Sequence, residues 1–410
     1  MPIRKLRNAI FLLCAFAVIF FIDVRSSRAE LSTLEISEEL ANEIKAAPGK
    51  SGIKEFIQKR DEFADRYGTR FAFLFNYAQQ VILSNERDVG NSRGLWYMNF
   101  DISQRLWQGS ELVVEFEVDK NKGVDKFIPT YSQLNDNTGP NTNLYLPYFY
   151  IDQKLFSDKL FLAAGKLDLS DWFDGNQVAN SADIQFLSSA LVDSATIPFP
   201  EKGVGAMANF KLSDLFYVQA GACTAKAIPT KTGFSDGFNS TLFLNEVGFS
   251  PAIGTRQGNY RFIYYLLHKK SEWVADDTQT KNDQYGFSLS FDQAVTEHAT
   301  LFMRYGLADP KLNQIAYAWS AGGQLKAPFP WRDKDCVAFA VTQNILSRDY
   351  RIDKGSDVTA SRETLLEAYY SFEVNELLTL TADVQTVLDP DANKETSNPT
   401  IGSLRLLVAF

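Results

Sequence analysis

The sequence has few of the residues that form disulfides and hydrolase centres. Its 410 residues include 3 Cys and 2 His. Because Cys14 lies in a predicted leader, Cys223 and Cys336 remain, so a disulfide framework is excluded and stability has to come from the fold itself. A hydrolase needs a His beside a Ser or Asp, and the sequence offers only His268 and His298. We therefore predict no enzyme activity and no cofactor.

Long apolar runs are missing after residue 29. Ahead of that point, three basic residues precede thirteen consecutive apolar residues at 10–22. Ser27-Arg28-Ala29 then supplies small side chains at the two positions that a signal peptidase reads. Because the apolar run is short for a membrane span, residues 1–29 are predicted to be a cleaved signal peptide. A single N-terminal anchor helix is the alternative.

The chain is acidic and rich in aromatic residues. Its 50 Asp and Glu outnumber its 41 Lys and Arg, which argues against nucleic acid as a partner. It contains 32 Phe, 17 Tyr and 6 Trp, yet its mean hydropathy is −0.18. Many aromatics without a long apolar segment are typical of a membrane β-barrel, in which lipid-facing and water-facing side chains alternate along each strand.

Two regions follow the leader. Residues 30–69 are charged and carry apolar residues at helical spacing, so we predict two short periplasmic helices separated by Ala47-Pro48-Gly49. From residue 70 to residue 410 the period changes to two. In "ELVVEFEVD" (111–119), for example, apolar residues face one way and carboxylates the other. We interpret 70–410 as the barrel domain.

The barrel domain contains sixteen alternating segments joined by connections that alternate between short and long. Tight turns such as "WQGS" and "SDK" separate long connections at 85–94, 120–143, 170–202, 227–240, 268–282, 346–361 and 388–400. Outer-membrane barrels sort their loops in this way, whereas a soluble sandwich has no reason to. The sequence therefore predicts an all-β fold, a 16-stranded antiparallel transmembrane β-barrel with a short N-terminal helical segment. The predicted strands lie near residues 70–84, 95–106, 111–119, 144–155, 159–169, 203–212, 215–226, 241–249, 259–267, 283–293, 299–307, 315–326, 335–345, 362–374, 377–387 and 401–410.

The C-terminal segment supports an outer-membrane location. In "IGSLRLLVAF", apolar residues occupy alternate positions and end at Phe410. A last strand of this kind resembles the segment that outer-membrane proteins present to the barrel-insertion machinery. We therefore expect that machinery and outer-membrane lipid to be partners of the chain.

Two stretches resemble the carbohydrate-selective porin (OprB-type) family of bacterial outer-membrane proteins. The first is "GKLDLSDWFDGNQVANSADIQFLSSALVDSATIPFPEKGVGAMANF", with a GK-L block, a QFL-x-x-AL segment and a TIPFP exit. The second is the closing "LTLTADVQTVLDPDANKETSNPTIGSLRLLVAF". The resemblance implies a water-filled channel for the passive diffusion of sugars or other small hydrophilic solutes. A homo-oligomer is possible for such a channel.

The candidate solute contacts are side chains that alternation or the resemblance assigns to the lumen. Mixed charges present donors and acceptors at modest net potential, which suits a hydroxyl-rich neutral solute. An aromatic face can pack against a sugar ring. The alternative is that these charges simply pair with neighbours across strands. The candidates are Arg105, Glu115, Glu117, Lys166, Asp168, Asp171, Trp172, Asp174, Arg304, Asp383 and Arg405.

The long connection after the fifth strand is expected to fold inward and narrow the channel. It is the third outer connection, and irregular backbone is tolerated at membrane depth where it borders water and protein. Its Asp168, Asp171 and Asp174 offer hard oxygens for calcium, but Asp more commonly caps turns, and we predict no metal.

Three other functions stay open. One is a general or ion-preferring porin without sugar selectivity, since an acidic lumen favours cations. Another is a structural barrel closed by the N-terminal helices. The third is a protease site that pairs His268 with Asp276 or Asp277.

Overall fold

The computed structural model describes residues 51–85, 88–120, 122–234 and 237–410. The predicted signal peptide and the first predicted helix lie outside the described residues. The second predicted helix is present as α1, Ser51–Tyr67. It ends at Gly68, which has a left-handed φ of +69° and donates its N–H to the carbonyl of Ala64 (2.8 Å). None of the described helices is long and apolar enough to cross a membrane.

Strands make up most of the remaining described chain, together with two short helices. The helices are α2, Ser189–Val192, and α3, Arg348–Lys354. The strands are β1 Thr69–Ser84, β2 Ser92–Trp107, β3 Ser110–Lys120, β4 Tyr145–Leu155, β5 Leu160–Leu167, β6 Gly203–Lys211, β7 Phe216–Thr224, β8 Thr241–Phe249, β9 Ala252–Ile253, β10 Arg256–Trp273, β11 Asp276–Ala294, β12 Ala299–Leu307, β13 Ile315–Lys326, β14 Cys336–Leu346, β15 Arg362–Asn375, β16 Leu378–Leu388 and β17 Thr400–Ala409.

The strands form a closed antiparallel barrel. Each long strand pairs with the next in the chain, β8 pairs with β10, and β1 pairs with both β2 and β17. The two-residue β9 pairs only with the start of β10, so sixteen strands build the wall. Closure removes the unpaired edges that would leave backbone groups unsatisfied in lipid. The predicted 16-stranded barrel is confirmed.

Side chains of the wall alternate between its two faces, as β8 illustrates. Leu242, Leu244 and Glu246 are buried, whereas Phe243 and Val247, at positions of the opposite parity, are exposed. The period of two in the sequence places one set inward and the other outward. A carboxylate buried on the inner face and large apolar groups exposed on the outer face indicate lipid outside and a polar interior.

One long connection differs from the prediction. Residues 268–282 were expected to form a loop, but β10 continues to Trp273 and β11 starts at Asp276. The two strands therefore extend as a hairpin with a two-residue turn. Beyond the apolar band both faces of a hairpin meet water, so polar residues occupy both faces and the alternation that reveals a strand disappears.

Apolar side chains from the loops fill part of the interior, and two of the three hydrophobic clusters among the described residues contain the connection after β5. The larger one packs Phe186 and Leu191 of the connection after β5, and Leu134 of the connection after β3, against Phe302 and Leu365 of the wall. The other packs the start and end of the connection after β5 against β5 to β10. The loops thus have apolar anchors inside the barrel.

Candidate channel lining

The connection between β5 and β6, residues 168–202, is called loop 3 below. Asp168 caps its first helical turn, Leu169–Asp171, by accepting hydrogen bonds from the backbone N–H (3.0 Å) and the hydroxyl (2.8 Å) of Ser170. The short Asp side chain suits this position because it satisfies an N–H that the first turn leaves unpaired. Loop 3 then crosses the interior and returns to the wall at Lys202.

Two buried arginines of the wall donate to backbone carbonyls of loop 3. Arg304 on β12 donates to the carbonyls of Leu191 (2.7 Å) and Asp174 (2.8 Å), and its Nε lies 3.1 Å from the Asp174 carboxylate. Arg405 on β17 donates to the carbonyls of Ala182 and Gln185, each at 2.6 Å. A planar guanidinium can reach two acceptors at once, so each arginine fixes two points of the loop.

Buried carboxylates of the wall accept from backbone N–H groups of the loops. Glu367 on β15 accepts from Leu187 and from Ser188 (3.1 Å) of loop 3. Glu246 on β8 accepts from the N–H of Asp174 (3.0 Å). On the same strand as Glu367, Glu363 accepts from the N–H of Ser132 (2.8 Å), in the connection between β3 and β4. These carboxylates accept hydrogen bonds from loop N–H groups that would otherwise be bonded to water.

Lys166 is also used as an anchor. It is 1% exposed, and its Nζ donates to the carbonyls of Leu146 (2.7 Å), Pro229 (2.6 Å) and Lys231 (2.5 Å). Three carbonyl oxygens match the three donors of an ammonium group. The side chain thereby ties the end of β5 to β4 and to the connection between β7 and β8.

A second group of charged residues lies around the start of β6 and is called the charged cluster. Lys202 is influenced electrostatically by Glu115 and Glu117 of β3 and by Asp168 and Asp171 of loop 3. Its Nζ also lies 5.9 Å from the centre of the Tyr148 ring. Glu117 accepts a hydrogen bond from the Tyr145 hydroxyl (2.6 Å), and Glu115 accepts one from the Asn99 amide (3.0 Å). The charged cluster consists of Glu115, Glu117, Tyr148, Asp168, Asp171 and Lys202.

The surroundings shift the pKa values of two loop residues of this cluster. Enclosure by protein and the neighbouring Asp168 raise the pKa of Asp171 to about 7, although its side chain is exposed within the barrel. Burial alone would lower the pKa of Lys202, but the surrounding carboxylates, Glu117 first, raise it above its ordinary value. Lys202 is therefore charged, and the charge of Asp171 changes near neutral pH.

The remaining predicted contacts lie in three different settings. Trp172 is half-buried against Tyr150, with ring centres 5.7 Å apart, and Asp174 is fully buried. Asp383 is buried on β16, with its carboxylate 4.0 Å from Arg405. Arg105 is exposed at the end of β2, where it borders a small cleft with Glu111 and Asp152. The structure thus brings some candidates together at the charged cluster and separates others from it.

The three aspartates of loop 3 do not form one group. Asp168, which also caps a turn, and Asp171 both belong to the charged cluster, whereas Asp174 pairs with Arg304. No group of three His, Cys, Asp or Glu side chains is placed to hold a metal ion in the part of the chain that the structure describes.

Several residues of the lining were not among the predicted contacts. Lys202 and Tyr148 complete the charged cluster, and Glu363 and Glu367 bind loop backbone. The two glutamates had a signal, because in "RETLLEAYY" they share one face of a strand with Leu365 and Tyr369. Lys202 had none, since it lies in an irregular stretch with no periodicity to orient its side chain.

A family model described as carbohydrate-selective porin, OprB family, matches residues 116–410. Porin AaxA of Chlamydia abortus is 24% identical over 222 residues, 53% of this chain and 47% of that protein. Porin AaxA of Chlamydia caviae is 23% identical over 278 residues, 67% of this chain and 58% of that protein. The chain spans about half the length of the curated relatives it matches.

Solved structures resemble the barrel. The high-pH structure of Pseudomonas putida OprB has a TM-score of 0.76 at 18% identity, covering 87% of this chain and 97% of that one. The outer-membrane channel DcaP of Acinetobacter baumannii has a TM-score of 0.53 at 12% identity, covering 83% and 97%. At these identities the likeness shows the fold alone.

Proposed function

The chain belongs to the OprB family of carbohydrate-selective porins, and on that premise we propose that it lets sugars diffuse passively through the outer membrane. The family and the closed barrel indicate a porin channel rather than an enzyme. The proposal adds two finer points. The solutes are mono- and oligosaccharides, and loop 3 narrows the channel to a size at which the lining contacts each solute.

The observation that carries the proposal is the attachment of loop 3 to the inside of the wall. Its backbone is bound by side chains of β8, β12, β15 and β17, which lie on different parts of the barrel. A loop held at so many points is a fixed part of the lining. A fixed constriction is what selectivity among solutes of similar size requires, because the same groups then meet every passing solute.

The chemistry of the charged cluster suits hydroxyl groups. Carboxylates accept hydrogen bonds, an ammonium group donates them, and the Tyr148 ring offers an apolar face. A sugar carries donors and acceptors on one edge and C–H groups on its ring faces, so it can replace its lost hydration with these contacts. A bare ion would gain from one sign of charge only.

Liposome swelling tests the sugar function. Purified protein in liposomes is exposed to glucose, a disaccharide and a neutral amino acid of similar size to glucose. We expect faster swelling in the sugars than in the amino acid. Liposomes that contain heat-denatured protein are the control for leakage. Equal rates for sugar and amino acid would leave only a general porin.

A cation-preferring porin is the second candidate, because four carboxylates of the charged cluster surround Lys202. Planar-bilayer recordings in a salt gradient separate the two candidates. A reversal potential near zero with rapid sugar flux supports the sugar channel, whereas a large cation-selective potential with slow sugar flux supports the alternative.

A further inference from the structure

The backbone of Lys202 is held in an unusual conformation at the end of loop 3. Its φ is +49°, in the left-handed region that disfavours residues with a Cβ atom. The next residue, Gly203, begins β6, where a Cβ would lie 2.7 Å from the carbonyl oxygen of Thr224. The glycine therefore cannot take a side chain without a shift of the neighbouring strand. A strained residue that persists in a well-defined place is a reason to look for a function.

The side chain of Lys202 is surrounded by acids without being bound to one. Among the described residues, no carboxylate oxygen lies within 4.0 Å of its Nζ. Four carboxylates nevertheless act on it electrostatically, and the Tyr148 ring lies 5.9 Å away. This differs from Lys166, whose ammonium group is saturated by three carbonyls. The donors of Lys202 remain available to a molecule that enters the cluster.

We propose that Lys202 is a specificity-determining residue of the channel. It donates to hydroxyl groups of a passing sugar, and its charge offsets the carboxylates around it so that neutral sugars and sugar acids can pass. This proposal rests on the sugar function proposed above. It makes this one residue responsible for the relative rates at which neutral, anionic and cationic sugars pass through the channel.

The charges of the cluster predict how the loss of Lys202 would change the passage of charged sugars. Without Lys202 the cluster would hold carboxylates of β3 and loop 3 with no basic partner among its members. A sugar acid entering it would meet like charge, while an amino sugar would be attracted. Enclosure by protein strengthens such interactions relative to water. Neutral sugars would lose a hydrogen-bond donor and respond less.

The test compares Lys202→Met with wild type in liposomes, using glucose, glucosamine and glucuronate, which share one ring size. We expect the glucuronate-to-glucose rate ratio to fall by about threefold to tenfold and the glucosamine-to-glucose ratio to rise. In a salt gradient, the reversal potential should shift toward cation selectivity. Lys202→Asn is the second variant, because Asn tolerates the left-handed backbone and also removes the charge.

Two controls accompany the variants. Lys202→Arg keeps the charge and should stay close to wild type, and Lys211→Met removes an exposed lysine at the far end of β6. Heat-modifiable mobility on gels verifies that each barrel is folded. Unchanged ratios and reversal potential in both neutral variants, while wild type passes glucose, would overturn the role of Lys202 and leave the sugar function standing. A shifted reversal potential in a channel that excludes glucose would overturn the sugar function, and with it the sugar specificity assigned to Lys202, and would leave Lys202 as a determinant of ion selectivity only.

Discussion

Several buried ions on the wall of this barrel are bound by loop backbone. An ion removed from water is tolerated only if other groups replace its hydration, and backbone carbonyl and N–H groups do so without adding charge. Arg405 is 1% exposed and binds two carbonyls of loop 3, while Glu367 binds two N–H groups of the same loop. Each bond stabilises both the ion and the path of the loop.

Removal of the Arg405 guanidinium should loosen loop 3. In Arg405→Met the carbonyls of Ala182 and Gln185 lose their donors, and Asp383 loses its nearest cation. Removing one partner from such a buried charged group lowers the free energy of unfolding by about 3–5 kcal/mol. We expect larger and noisier single-channel conductance, measured in planar bilayers. Arg256→Met, at an exposed position on β10, is the matched control. Identical conductance in both variants would show that loop 3 does not depend on this anchor.

Asp171 should make ion selectivity depend on pH. Its pKa is raised to about 7 by enclosure and by Asp168, against the opposing effects of Tyr148 and Lys202. The carboxyl is therefore mostly neutral at about pH 5 and mostly ionised at about pH 8. Cation selectivity, read from reversal potentials, should rise over this range and rise less in Asp171→Asn. An equally steep rise in the variant would assign the titration to other groups.

At the residue scale, the sequence predicted which face of the wall a charged side chain lies on better than it predicted what that side chain binds. Alternation assigned Arg304, Lys166 and Arg405 to the inner face, and the structure places all three there. It could not reveal that their partners are backbone carbonyls, because every residue carries a carbonyl and such an acceptor leaves no mark in the sequence. A lysine in an irregular stretch, such as Lys202, has no face to predict.

At the scale of elements, loop 3 combines apolar anchors with exposed positions. Phe186 is fully buried against Phe302 and Tyr369, with ring centres 5.9 and 5.1 Å away. Two residues earlier, Ile184 is 51% exposed. Both anchors of the apolar segment "IQFLSSALV", Phe186 and Leu191, pack against the wall.

The buried Phe186 and the exposed Ile184 allow a matched test of the packing of loop 3. Phe186→Ala leaves a cavity between the loop and the wall, which costs about 3–5 kcal/mol. We expect a lower midpoint of thermal unfolding, followed by tryptophan fluorescence, and more frequent conductance fluctuations. Ile184→Ala should change neither quantity, because its side chain loses little contact. Equal effects of both variants would contradict the anchoring role of Phe186.

Strands were predictable from the sequence wherever one of their faces meets lipid. There the apolar band imposes strict alternation, and all sixteen wall strands were found. The extension of β10 and β11 was missed because residues such as Lys270 and Glu272 bear no such constraint. The inward path of loop 3 followed from its position in the order of connections, since its own residues have no regular period.

At the scale of the whole molecule, closure joins the first and last strands. The N–H of Phe73 donates to the carbonyl of Phe410 (2.9 Å), the N–H of Phe410 donates to the carbonyl of Phe73 (3.0 Å), and the two rings stack at 5.1 Å. Closure depends on pairing two segments more than 300 residues apart in sequence. Long-range pairing is slow and leaves strand edges exposed to aggregation until it is complete.

Phe410 should therefore matter for assembly more than for the finished barrel. Phe410→Ala keeps both backbone hydrogen bonds and removes only the ring, so the purified variant should refold in detergent about as well as wild type. We propose that the insertion machinery reads this ring, and we expect a smaller heat-modifiable fraction in outer membranes of producing cells. Phe410→Tyr should behave as wild type, and Phe372→Ala controls for the loss of another outward-facing ring. Equal losses in detergent and in cells would instead mean that the ring contributes through its packing in the folded barrel, which includes its contact with Phe73, because that packing is common to both settings.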